Sequence, residues 1–141
     1  SLKNSGVYHA VIKNTESEFI AQEEIDTRNF KFLRVPIFTL TQFDNGVYFF
    51  SAINAPAELS APISHVWEKY NPTEKRWVVK TTIPFTLAGG REDGYRAYSK
   101  KENVEEGLWR VTVKIDGKRI VGRYKFLIES GGNIELREVK L

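Results

Sequence analysis

The residues of this chain best suited to hold a ligand run from Gly89 to Ser99, as Gly-Gly-Arg-Glu-Asp-Gly-Tyr-Arg-Ala-Tyr-Ser. Arg91 and Arg96 are suited to grip a carboxylate or phosphate through paired N–H groups. Tyr95 and Tyr98 supply flat faces for stacking, and loops carried by a rigid sheet are where binding residues concentrate. A second reading stays open: Arg96 ties the loop down through a buried ion pair while the tyrosines pack. His65 and Trp67 lie two apart on a strand-like segment and so share a face. They form either a binding platform with a polar handle or a core tryptophan beside a hydrogen-bonded histidine. The core reading is preferred, because a buried tryptophan commonly anchors a sandwich.

Other chemistries lack their residues. No Gly-x-Ser-x-Gly elbow is present, and Gly89-Gly90 leads into Arg91-Glu92-Asp93-Gly94 without the Lys-Ser/Thr ending of a phosphate loop. His9 and His65 are 56 positions apart and there is no cysteine, so neither a zinc cluster nor disulfide chemistry is expected. No Asp-x-Asp-x-Asp loop suggests calcium. Glu92 and Asp93 are the nearest approach to the paired carboxylates of a glycosidase, but neighbours on a polar loop point apart into water. The expectation is a protein that is not an enzyme and uses no metal or cofactor, with a carboxylate-based hydrolase as the alternative.

A period of two dominates the segments that must carry these residues. Trp109, Val111, Val113 and Ile115 share one face, with Arg110, Thr112 and Lys114 on the other. Asp116-Gly117 then accepts the positive φ angles of a tight hairpin. Ile120, Gly122, Tyr124, Phe126 and Ile128 continue inward, with Arg123 and Lys125 outward. A second hairpin is expected where 37–43 and 47–53 flank Asp44-Asn45-Gly46. Strands are also expected over 7–12, 63–70 and 76–85, with a short one within 134–141. Residues 18–25 suit a strand or a short helix, and 101–106 one helical turn. Trp67, Trp77, Trp109 and Phe126 are the expected core anchors.

Eight to nine strands without amphipathic helices predict a single all-β domain over 1–141. The architecture expected is an antiparallel β-sandwich, immunoglobulin-like in general arrangement, with a closed barrel as the alternative. Hydrophobic residues make up 41% and charged residues 28% of the chain, as in ordinary globular proteins. Net charge is +3, with 5 basic and 7 acidic residues in 1–60 against 16 and 11 in 61–141. This modest, sign-interleaved field does not predict nucleic-acid binding. No run approaches the roughly 18 apolar residues of a membrane span, and no signal peptide opens the chain. Methionine is absent even at position 1, so an excised or processed fragment is expected.

From about Val47 to Ile128 the chain resembles a bacterial family known as domain of unknown function 2914. The residues that carry the resemblance are Phe49-Phe50-Ser51-Ala52, Ala55-Pro56, His65-Val66-Trp67, Gly89-Gly90-Arg91, Gly94-Tyr95-Arg96, Ser99, Gly107-Leu108-Trp109-Arg110-Val111, Gly122-Arg123 and Phe126. The resemblance implies the soluble C-terminal domain of a protein whose N-terminal part crosses the membrane several times. Residues 1–46 would then join the last span to a core over 47–128, with 129–141 as an extension. An extracytoplasmic position is favoured over a cytoplasmic one. The family has no established activity, so no catalytic or binding residue is carried over. The expectation is a recognition module for a glycan or a protein partner, with Arg91, Tyr95, Arg96, Tyr98 and His65 as candidate contacts. The alternative is a structural or regulatory domain serving the membrane part.

Overall fold

In the computed structural model, residues 2–25, 29–30, 34–54, 61–85 and 95–141 are described. Among them there is no helix. Twelve strands follow in order: β1 (Leu2–Tyr8), β2 (Ala10–Lys13), β3 (Phe19–Glu24), β4 (Asn29–Phe30), β5 (Val35–Leu40), β6 (Val47–Ile53), β7 (Ile63–Asn71), β8 (Arg76–Phe85), β9 (Tyr95–Lys101), β10 (Gly107–Ile115), β11 (Arg119–Ser130) and β12 (Leu136–Lys140). The all-β sandwich expected from the alternation is present, with more strands than the eight or nine anticipated. Residues 18–25 resolve as strand β3.

The strands form three sheets, ordered β1-β6-β9, β4-β5-β11-β10-β7-β8 and β12-β3-β2. Every pairing is antiparallel except β5 with β11. The β1-β6-β9 sheet lies between the other two. One of its faces contributes Val47, Phe49, Ile53 and Tyr95 to a core shared with Trp67, Trp109, Val111, Val113 and Phe126 of the six-stranded sheet. Its other face sets Phe50 and Ala52 against Val11, Phe19 and Ala21 of the third sheet. Strand β6 therefore needs apolar side chains on both faces. The run Val-Tyr-Phe-Phe-Ser-Ala-Ile meets that demand, as strands buried on both sides do.

Local chemistry explains where the chain turns. Asp116 and Gly117 have φ of 56° and 67°, and Lys118 N–H donates to the Ile115 carbonyl at 3.1 Å, closing the β10–β11 hairpin as expected. The expected hairpin around Asp44-Asn45-Gly46 is corrected. Strand β5 pairs with β4 and β11, whereas β6 pairs with β1 and β9, so the turn is an arch between layers. Asp44 shapes that arch by accepting from the Thr41 N–H at 2.8 Å and the Thr41 hydroxyl at 3.0 Å. At Gly46 a Cβ would lie 2.6 Å from the Lys101 carbonyl oxygen, too close for any side chain. The helical turn expected over 101–106 is likewise absent. Lys101 ends β9, and Asn103 takes a left-handed φ of 54°, which breaks an α-turn.

The strand expected over 7–12 is divided at His9. Before it β1 pairs with β6, and after it β2 pairs with β3. His9 marks this crossing between layers with contacts on three sides. Its Nδ1 lies 2.8 Å from Asp44, its Nε2 lies 3.0 Å from Glu24, and its ring stacks on Phe38 with centroids 4.1 Å apart.

Candidate functional site

The candidate contacts chosen from sequence do not assemble into one exposed site. Arg91, with the rest of 86–94, lies outside the described residues. Tyr95 is buried in the larger core at 4% exposure, which removes it as a stacking face. Arg96 points to the opposite side of β9, as alternation requires. Its guanidinium lies over Phe19 and Phe50, 4.9 and 5.5 Å from their centroids, and donates to the Leu141 carbonyl. This is an inward, structural arginine, held by ring faces and a carbonyl. Tyr98 joins the second core beside Phe19 and Tyr48. The covering third sheet is what turns Arg96 and Tyr98 from surface groups into packing groups.

His65 is fully buried, which corrects its candidacy as a contact and bears out the core reading. Its Nε2 lies 2.8 Å from the Ser51 hydroxyl and its Nδ1 lies 2.7 Å from the Ser99 hydroxyl. Ser99 also accepts from the Trp67 indole N–H at 3.1 Å. Burial pushes the His65 pKa down to about 3. The neutral ring joins β6, β7 and β9 across the sandwich, and Phe49 and Phe85 pack edge-on against it. Among the described residues no buried side-chain nitrogen or oxygen lacks a partner.

The outer face of the six-stranded sheet has a different character. Trp67, Trp109 and Phe126 are buried as expected, but Trp77 is only partly buried and does not join the core. The cause is a bulge. Thr81 pairs with Trp67 and Val79 with Glu68, leaving Lys80 as the extra residue. An inserted residue inverts the alternation, so Val79 and Trp77 turn outward with Glu68 and Tyr70 while Ile83 stays inward. The bulge has no signature in a single sequence, and for that reason Trp77 reads there as a core residue.

Around Trp77 four adjacent strands build one polar network. Arg110 Nε and Nη2 donate to the two carboxylate oxygens of Glu68 at 3.0 and 2.9 Å. The Thr112 hydroxyl donates to the same carboxylate, and Arg123 Nε donates to Thr112 at 3.3 Å. Burial alone would raise the Glu68 pKa. The Arg110 and Thr112 hydrogen bonds and the charges of Arg110 and Arg123 outweigh it, so Glu68 stays ionised below the usual carboxylate range. The Arg110 guanidinium lies 4.3 Å from the Trp77 ring centroid and Lys125 Nζ 5.9 Å from it. Tyr70 meets Trp77 edge-on at 5.3 Å. The indole is thus fixed on a planar, cation-bearing face. The outward alternation of Arg110, Thr112, Arg123 and Lys125 was visible in the sequence; their convergence on Trp77 was not.

Next to this face is a cleft of about 450 Å³, whose lining includes Tyr70, Val78, Lys80, Gly107 and Leu108. The Lys69–Glu105 ion pair at 2.9 Å borders it. Tyr70 belongs to both the cleft and the Trp77 network.

Residues 60–128 match the family described as Protein of unknown function (DUF2914). The DUF2914 match runs from β7 to Ile128 of β11 and contains every residue of the Trp77 network. It supports the resemblance over that part of the chain, while the motif residues Phe49-Phe50-Ser51-Ala52 and Ala55-Pro56 precede it. No curated protein matches the chain. Among the described residues no group of three or more His, Cys, Asp or Glu side chains is arranged to hold a metal ion.

The two histidines give stability a defined pH dependence. Below the ordinary imidazole pKa of about 6.5 the unfolded chain takes a proton that native His65 resists, so the His65 contribution is lost as pH falls toward about 3. Burial pulls His9 down, but hydrogen bonds to Glu24 and Asp44 and their charges hold its pKa above the ordinary value. The His9 contribution is therefore complete below about 6.5 and lost as pH rises through the raised native value. Each limb is bounded at about 1.4 kcal/mol per pH unit, with solvent screening reducing the share of His9. In urea denaturation across pH, His9→Gln should remove the alkaline decline and keep the acid limb. An unchanged alkaline limb would contradict the His9 clamp.

Proposed function

We propose that this domain is a non-catalytic recognition module that binds its ligand on the outer face of the six-stranded sheet. The observation that carries this reading is Trp77. It is the tryptophan left partly exposed, and it is fixed by Arg110, Lys125 and Tyr70 rather than sealed in a core. A pre-positioned aromatic face loses little side-chain entropy on binding, and the apolar C–H face of a sugar ring is its natural complement. The adjoining cleft extends the contact surface beyond one ring. What favours binding over catalysis is the employment of three titratable groups among the described residues. His65 is enclosed and neutral, His9 is clamped by two carboxylates, and Glu68 is locked as a carboxylate by Arg110.

A second reading has its own observation. Phe43 is 84% exposed beside a cleft of about 250 Å³ whose lining includes Gln22, Ile134 and Leu136. A large apolar side chain left in water suits a protein contact, which would make the domain a structural or regulatory partner of a larger assembly. We further propose a bacterial parent held at a membrane, with this domain on the extracytoplasmic side. The support is the family resemblance. Among the described residues no helix is long and apolar enough to cross a membrane.

On a glycan array, the chain should bind at least one class of oligosaccharide. Trp77→Ala should abolish that binding with a melting temperature within a degree or two of the parent, and Phe43→Ser should leave it intact. Loss through Phe43→Ser but not through Trp77→Ala would move the site to the second surface. In cell fractionation the full-length parent should sediment with membranes; recovery in the soluble fraction would refute the attachment.

A further inference from the structure

We propose that the ligand of the Trp77 face is an acidic glycan, a chain of sugars bearing carboxylate or sulfate groups. This rests on the recognition reading above and specifies its chemistry. Strand pairing sets Arg110 opposite Glu68 and Lys125, and Thr112 opposite Arg123. Alternation therefore places Arg110 and Lys114 of β10 and Arg123 and Lys125 of β11 on the face that carries Trp77. Among the described residues the carboxylates that alternation places on that face are Glu68 and Glu129. Glu68 is already neutralised by two hydrogen bonds from Arg110 and one from Thr112, so it does not repel an incoming anion. Among the described residues neither Arg123 nor Lys125 forms an ion pair, and both are exposed. They stand about 7 Å apart, two residues along one strand.

The aromatic and cationic groups are adjacent, and that adjacency selects the ligand. Lys125 Nζ is 5.9 Å from the centre of the Trp77 ring, so an anionic substituent on a sugar stacked there falls beside an ammonium. A neutral glycan would use the indole and leave Arg123 and Lys125 without a complement. A simple anion would use the cations and ignore the indole. A glycan with an acidic group on successive rings uses both, and it can follow β10 from Arg110 to Lys114, about 13 Å.

The test is titration of the chain with a galacturonic acid tetrasaccharide and with its neutral galactose counterpart, at low and high salt. The acidic form should bind at least about tenfold more tightly, and the advantage should shrink as salt screens the cations. Lys125→Glu and Arg123→Gln should each lower the affinity for the acidic sugar by a several-fold larger factor than the affinity for the neutral one. Trp77→Ala should abolish both. Equal affinity for the two sugars, with dependence on Trp77, would overturn the acidic preference and leave the platform standing. Binding indifferent to Trp77→Ala, or no binding of either sugar, would overturn this proposal together with the platform for sugars. Association with phosphatidylglycerol vesicles through Lys125, without tetrasaccharide binding, would overturn it in favour of a membrane surface.

Discussion

Strand β6 has no solvent face, and much of the molecule follows from that constraint. Phe49 and its neighbours on one side must meet the six-stranded sheet, and Phe50 on the other must meet the third sheet. A polar group at either interface can persist only if it is paired. His65 does so through Ser51 and Ser99, and Arg96 does so through the Leu141 carbonyl and two aromatic rings. Groups that look ligand-ready in the sequence are drawn inward because the middle layer requires partners on both sides. The open surface is left to the outer sheets.

On the outer face of the six-stranded sheet the decisive contact is the Arg110–Glu68 pair. A surface ion pair alone contributes little to stability, about 0–1 kcal/mol. This one is bidentate, joined by Thr112 and covered by an indole, so its effect is positional. It fixes the plane against which Trp77 rests and neutralises a carboxylate that would otherwise oppose anions. Single-residue geometry, the bulge at Lys80, thus controls whether the tryptophan serves the core or the surface.

The sequence carried the elements whose neighbours along the chain are also their neighbours in space. The β10–β11 hairpin was legible because Asp116-Gly117 and the alternation on either side demand it, and Trp109, Val111 and Phe126 fell inward accordingly. Trp67 was legible as a core residue for the same reason. Elsewhere tertiary pairing decided. The 37–53 segment has hairpin spacing, yet β5 and β6 go to different sheets because each finds a better partner far along the chain. The 7–12 segment alternates smoothly, yet His9 ends one strand and begins another at a layer crossing. Periodicity also reports that a face is covered without saying by what, so a third sheet over Arg96 and Tyr98 had no signal of its own. The Trp77 network was illegible for a related reason: its members come from four strands and converge only when the sheet is assembled.

The division between sealed and open tryptophans is the claim on which this account stands, and fluorescence reads it directly. Single-tryptophan versions of the chain, with the other two positions changed to Phe, isolate Trp67, Trp77 and Trp109. The account predicts blue-shifted emission resistant to acrylamide for Trp67 and Trp109, and red-shifted, readily quenched emission for Trp77. A Trp77 signal as blue and as protected as that of Trp67 would contradict it.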